Sequence, residues 1–278
     1  MSLLMRIDEA LHRARAELAK VAQRPLLEAE ILLAYAIKKS RVYLHAHPEE
    51  KIDAKPFFEL VKRRLAYEPI EYIIQRVSFY GEEFFIQNGV LIPRPETEIL
   101  IDEVSKELRG DESLAEIGVG SGVISAILKM KFPSLQITAT DISDKAIACA
   151  RKNFQKFGLD IELVQTDLLD GVEKKIDVIV SNPPYIAKGF ELEPNVAKYE
   201  PHEALFGGRE GDEILKKIID LFLQSSAKIL ACEMGFDQKN AIRDYVKSRK
   251  DIDVRFFKDL AGLDRGFIIQ RRCYVAMD

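Results

Sequence analysis

Apolar residues recur at alternating steps of four and three through Ile7, Leu11, Ala14, Leu18 and Val21, which is one face of an α-helix. Pro25, a good first helical residue, opens a second such run through Leu27, Ile31, Ala34 and Tyr35. A third follows Pro56, with Phe57, Leu60, Val61, Arg64 and Leu65. Residues 1 to about 75 are therefore expected to be all-helical. The texture then turns β-like over 78–92, where Phe79-Tyr80-Gly81 and Phe84-Phe85-Ile86 flank a glycine and Asn88-Gly89 is a hairpin turn signal. Pro95 sits near the start of a helix with acids in its first turn. From residue 113 onward strand-like runs alternate with helical ones: 114–117, 135–141, 161–165, 176–181, 227–234, 252–257 and 266–271. That alternation predicts an α/β fold with a mainly parallel sheet. The expected division is a helical domain over 1–77, a connecting β-hairpin over 78–94 and an α/β domain over 95–278.

Composition narrows the class. A chain of 278 residues with 47% hydrophobic content buries a large core and suits two domains. No apolar stretch approaches the roughly 20 residues of a membrane span, and the N-terminus lacks the apolar core of a signal peptide. Cys149, Cys232 and Cys273 form no C-x-x-C pair and read as reduced thiols of a cytoplasmic protein. With four histidines and no ligand spacing, no metal site is expected. Residues 1–80 carry 14 Lys/Arg against 11 Asp/Glu, while the remainder carries 27 against 34. The one short basic run, Lys62-Arg63-Arg64, is expected on a largely solvated helix face. Nothing here makes a duplex-binding surface.

The chemistry concentrates in four places. Asn182-Pro183-Pro184-Tyr185 ends an apolar strand run, and neither proline can continue a sheet ladder. The prolines also hold Asn182 extended. Such a strand end offers an amide oxygen, a free carbonyl at Pro183 and an aromatic ring, which together suit a planar NH2 group; a plain Pro-Pro turn is the alternative. Gly118-Val119-Gly120-Ser121-Gly122 lies between a strand and a helix. Val123 stands where the dinucleotide fingerprint needs a third, later glycine, and G-x-G-x-G is the form used with S-adenosylmethionine. Asp141 ends the next strand, placed to accept from ribose hydroxyls or to serve as a turn residue beside the better helix cap, Ser143. Asp167 and Leu168 close the third strand, either as an adenine acceptor and packing surface or as a solvated turn.

These segments together resemble the HemK/PrmC family, methyltransferases that modify the glutamine of the Gly-Gly-Gln motif in class-I peptide chain release factors. The resemblance rests on Tyr72-Ile73 before Phe79-Tyr80-Gly81, the run Pro93 to Glu98, the glycine loop, Asp141, Asp167, and Asn182 to Tyr185. Glu200-Pro201, Ala204 to Gly208 with Gly211, and Asp259 to Arg265 complete it. Departures are Glu116 for the usual aspartate, Gln75 for a common glycine, and Leu168 for a frequent aromatic. The resemblance implies a Rossmann-like class I methyltransferase sheet behind a small all-helical N-terminal domain, acting as a monomer. S-Adenosylmethionine would be the methyl donor, leaving S-adenosylhomocysteine, with Gly118 to Gly122, Asp141, Asp167, Leu168 and Asn182 holding it. Asn182, Pro183 and Tyr185 would carry catalysis, and with Pro184 would hold the substrate amide. The helical domain and hairpin would grip the release factor, without direct nucleic-acid contact. Two alternatives share the motifs: methylation of an exocyclic amine on nucleic acid, at adenine N6 or guanine N2, and a non-catalytic S-adenosylmethionine-binding module.

Overall fold

The computed structural model describes residues 3–272, so Cys273 lies outside the described residues. The chain forms two compact units, one of residues 1–76 with 192–199, the other of 77–191 with 200–278. The division expected from sequence puts 192–199 in the α/β domain and sets the hairpin apart as a connector, whereas here 192–199 joins the first unit and the hairpin the second.

The first unit contains β1 (Leu4–Arg6), α1 (Ile7–Leu18), α2 (Pro25–Ile37), α3 (Arg41–Ala46), β2 (Lys51–Asp53), α4 (Lys55–Leu65) and α5 (Ile70–Ile74). The periodic residues of α1 pack with Leu32, Leu33, Phe57 and Val61 in one core. The expectation of an all-helical region missed the antiparallel pair β1–β2, whose three-residue strands are too short to show alternation. Arg64 also departs from the expected solvated face. Phe57, Val61 and Arg64 share the buried stripe of α4. The Arg64 Nε donates to Glu28 at 2.7 Å and a terminal nitrogen donates to the Val21 carbonyl. Gln75 takes a left-handed conformation at the end of α5 (φ 55°), which explains why glycine is common there.

The second unit starts with β3 (Arg76–Phe79) and β4 (Glu82–Phe85), then α6 (Thr97–Ser105), β5 (Ser113–Ile117), α7 (Val123–Lys131), β6 (Gln136–Asp141), α8 (Asp144–Phe157), β7 (Glu162–Gln165), β8 (Val178–Ser181) and β9 (Ile186–Ala187). After α9 (Pro194–Tyr199), which belongs to the first unit, come β10 (Phe206–Gly208), α10 (Glu213–Gln224), β11 (Ile229–Glu233), α11 (Lys239–Val246), β12 (Ile252–Lys258) and β13 (Asp264–Arg271). Seven strands form one sheet in the order β12-β13-β11-β8-β5-β6-β7. All are parallel except where β13 pairs with β11 and β12. The hairpin turns at Tyr80-Gly81, both left-handed, rather than at Asn88-Gly89. Glu98 of α6 accepts from the Tyr80 N–H at 2.7 Å, so the helix fixes the turn.

Register carries function here. Ile117 pairs with both Thr140 and Ser181, and Ser181 pairs with Cys232. One residue further on, Gly118, Asp141, Asn182 and Glu233 therefore leave their strands at the same edge. Strand order reverses across β8-β5-β6, the place where open α/β sheets bind ligands. Behind this edge Asn153 of α8 is fully buried. Its amide accepts from the Phe85 N–H (2.7 Å) and donates to the carbonyls of Phe85 (2.9 Å) and Ser121 (2.8 Å). It thus clips the hairpin and the glycine loop to one helix. Asn153→Ala strands these buried backbone groups and is expected to cost on the order of 3 kcal/mol in a urea unfolding titration.

Candidate active site

A cavity of about 270 Å³ opens at the strand edge, lined by Gly118, Gly120, Asp141, Asp167, Leu168 and Asn182 among others. Gly118, Gly120 and Gly122 all have positive φ (76°, 53° and 83°), which a side chain would strain. A Cβ added at Gly120 would meet nothing within 4 Å, so the backbone there is open to close approach by a ligand. The glycine at 122 has a different reason. A Cβ there would fall 2.7 Å from the Phe154 ring, and Gly122 does not line the cavity. Val119 and Ser121 are buried and line a smaller space, with Pro93, Thr97 and Glu116, that shares Gly118, Gly120 and Asn182 with the cavity.

Asp141 is the hinge of the loop. Its two carboxylate oxygens accept from the Gly120 and Ser143 N–H groups, each at 2.9 Å. Burial pushes its pKa up, and these backbone donors oppose the shift. Thus the turn role and the position on the cavity wall coexist. Ser143 caps α8 as expected. Leu168 is held in a left-handed conformation, its carbonyl accepting from the Thr140 hydroxyl at 2.6 Å. Among the described residues no Lys or Arg lines the cavity, whereas Asp141, Asp167 and Glu203 do. That lining suits a ligand with hydroxyls, an aromatic ring and a positive centre.

Asn182 to Tyr185 is pinned from several sides. The Asn182 Nδ2 donates to the Thr97 hydroxyl at 3.0 Å, and that hydroxyl donates to a Glu233 oxygen at 2.7 Å. Tyr185 donates its own hydroxyl to the other Glu233 oxygen at 2.9 Å. Gln238 donates to the Tyr185 carbonyl at 2.9 Å. Gly207 and Gly211 press against this segment: a Cβ at either would lie within 2.5 Å of the Pro184 or Tyr185 carbonyl oxygen. Tyr185 does not line the cavity, and its ring packs against the apolar core beside the sheet. Among the described residues neither the Asn182 side-chain oxygen nor the Pro183 carbonyl accepts a hydrogen bond. Both are acceptors that the rigid strand end leaves available.

Sequence reasoning missed Thr97, Glu233 and Gln238. Glu233 had a visible signal, an acid terminating the apolar run from Ala227. Glu233 and Thr97 are both buried. Burial raises the Glu233 pKa, with the Thr97 and Tyr185 hydroxyls and the nearby Arg265 opposing the rise. Burial, then Glu233, pushes the Tyr185 hydroxyl up. Arg265 is itself fixed by Asp259 at 2.9 Å, and Glu200 holds Arg94 at 2.6 Å.

Residues 95–199 match the family model for the methyltransferase small domain, and residues 9–74 match the PrmC N-terminal domain. The release factor glutamine methyltransferase of Koribacter versatilis is 37% identical over 229 residues, covering 78% of this chain and 80% of that protein. The enzyme of the same name from Staphylococcus aureus is 32% identical, covering 94% and 96%. The chain belongs to the release factor glutamine methyltransferase family. A methyltransferase from Pyrococcus furiosus shares the fold, with a TM-score of 0.53 at 23% identity over 69% of this chain and 89% of that one. A ribosomal protein L11 methylase from Lactobacillus delbrueckii does so at 0.50 and 22%, over 69% and 88%. The methyl donor of this class is S-adenosylmethionine, and the cavity's uncharged glycine wall and acidic rim fit it. Among the described residues no helix is long and apolar enough to cross a membrane.

Asp141→Ala would remove an acceptor from the cavity and release Gly120. Calorimetric titration should show S-adenosylmethionine affinity weakened by about 1.5–3 kcal/mol. Wild-type affinity would assign the ribose to another residue. A second prediction concerns Glu116, fully enclosed beneath the glycine loop, where both the Ser125 N–H and its hydroxyl donate to one oxygen. Burial pushes its pKa to about 8 from the usual 4.5. The folded state then holds a proton that the unfolded state releases, so stability falls as pH rises from 4.5 through about 8. Glu116→Gln should flatten that slope in denaturant titrations run across the same range.

Proposed function

We propose that this protein transfers the methyl group of S-adenosylmethionine to the side-chain amide nitrogen (N5) of the glutamine in the Gly-Gly-Gln motif of class-I release factors. The observation that carries this reading is the pair of unoccupied acceptors, Asn182 Oδ1 and the Pro183 carbonyl, at a pinned strand end beside the cavity. The named relatives supply the substrate class. Gly118, Gly120, Asp141, Asp167 and Leu168 would hold the donor, with Val119 and Ser121 shaping the loop and Gly122 seating it on α8.

A carboxamide nitrogen is a weak nucleophile because its lone pair is delocalised into the carbonyl. When bound, S-adenosylmethionine supplies a methyl group already activated by its sulfonium. What remains for the protein is alignment. Asn182 and Pro183 accept one amide hydrogen each and fix the nitrogen. Those bonds strengthen as the nitrogen becomes positive, so they favour the transition state over the ground state. Among the described residues no Lys or His lines the cavity. None is required, because an N-methylated amide cation loses its proton readily to water. Tyr185, its hydroxyl tied to Glu233 and its ring packed against the core, would hold the strand end that presents Asn182 and Pro183 rigid. The two glycines before the target residue would let the substrate backbone enter closely. The helical unit is assigned to gripping the rest of the release factor.

Incubation of release factor with the enzyme and S-adenosylmethionine should add the mass of one methylene to the Gly-Gly-Gln peptide. It should do so after nuclease treatment and with a shallow salt dependence, unlike the steep slope of phosphate-binding enzymes. Methylation of naked RNA or DNA instead would overturn the reading. Asn182→Ala should slow single-turnover methylation by about 10²–10³-fold, the scale of one aligned electrostatic contact, with donor affinity little changed.

A further inference from the structure

We propose that Thr97 and Glu233 are positioning residues that decide which end of the Asn182 amide faces the substrate. The inference rests on the acceptor role of Asn182 given above. An asparagine side chain is nearly symmetrical in shape, and turned by half a rotation it would offer NH2 where an oxygen is needed. Two donors would then face each other. Nothing in the shape of the site prevents this, so the choice must come from hydrogen bonding.

The chain of bonds makes the choice. Glu233 is fully buried and its carboxylate accepts two hydroxyls, Thr97 at 2.7 Å on one oxygen and Tyr185 at 2.9 Å on the other. A hydroxyl has one hydrogen. Thr97 commits it to Glu233 and has only lone pairs left for Asn182, 3.0 Å away. Only the NH2 of the amide can satisfy that contact, so Oδ1 is turned the other way. An ionised carboxylate offers acceptors alone, which makes the chain one-directional. Arg265, anchored by Asp259, opposes the rise that burial gives the Glu233 pKa. Gln in place of Glu233 would present one acceptor and one donor to the same two hydroxyls. If its NH2 faced Thr97, the Thr97 hydrogen would be freed to seek the Asn182 oxygen, and the amide would turn over.

Thr97→Val keeps the shape and removes the hydroxyl. Turnover on release factor should fall roughly 10- to 100-fold, the scale lost when the support of a functional side chain is removed. Affinity for S-adenosylmethionine and KM for release factor should stay within about twofold. Thr97→Ser should restore the rate, and Glu233→Gln should lower it with the same unchanged affinities. In an Asn182→Ala background Thr97→Val should cost almost nothing, because its effect passes through Asn182. Multiplicative losses in that double variant, wild-type turnover in Thr97→Val, or loss of cofactor affinity along with turnover would each overturn the proposal. NMR of the Asn182 side-chain NH2 gives a readout independent of substrate. Its hydrogen-bonded proton should shift on Thr97→Val and be retained in Thr97→Ser, whether or not release factor is the substrate. An unchanged spectrum would also overturn the proposal, whereas an unmodified release factor with the wild-type enzyme would defeat only the substrate reading.

Discussion

A carboxylate buried at the end of a central strand must be satisfied, and at Glu233 that requirement organises the site. An unpaired buried carboxylate would cost several kcal/mol. The two hydroxyls that satisfy it come from segments far apart in the chain, Thr97 at the mouth of α6 and Tyr185 after the double proline. Meeting the need of one acid thus joins the Pro93–Glu98 run to the Asn182–Tyr185 run. The other members of the same segments behave alike: Arg94 reaches Glu200, and Glu98 reaches the Tyr80 turn. The short runs that look unrelated in sequence are one hydrogen-bonded assembly in space.

The cofactor side follows a second rule, that close backbone approach needs glycine and a fixed loop. Asp141 accepts from Gly120, and Asn153 donates to the Ser121 carbonyl, so the turn is tied at front and back. Few of these bonds involve an exposed partner, and the loop is held without filling the space above Gly120. Preorganisation of this kind lowers the ordering cost of binding.

Much of this was legible in the sequence, for identifiable reasons. Periodicity exposed the long helices and the buried strands, and the glycines, prolines and strand-end acids fell where a parallel sheet needs them. The order of strands places Gly118, Asp141 and Asn182 at one edge, as the alternation from residue 113 implied. What escaped notice was either too short or too distant. β1, β2, α3 and α5 have three to six residues each, below the length at which a period shows. Arg64 looked like part of a solvated run, yet its place on the stripe of Phe57 and Val61 buries it against Glu28. Thr97 and Glu233 stand 136 residues apart, and no local pattern announces such a pair. The packing partner of Gly122, Phe154, is a helix and a strand away, so no local pattern shows why a side chain cannot stand there.

The choice of a neutral asparagine at the reacting edge has a physical basis in the same network. A carboxylate at 182 would accept the substrate's hydrogens more strongly, but it would face the Thr97 oxygen with an oxygen of its own. Thr97 could then satisfy either Glu233 or residue 182, not both. It would also bring a second negative charge near the buried Glu233, raising the cost of keeping that acid ionised. An amide has one end for each neighbour, a donor for Thr97 and an acceptor for the substrate. The glutamine amide to be methylated has the complementary pair of hydrogens and carries no charge of its own. A neutral acceptor therefore binds it with little penalty before reaction and gains most as positive charge builds on nitrogen, which is where stabilisation accelerates the step.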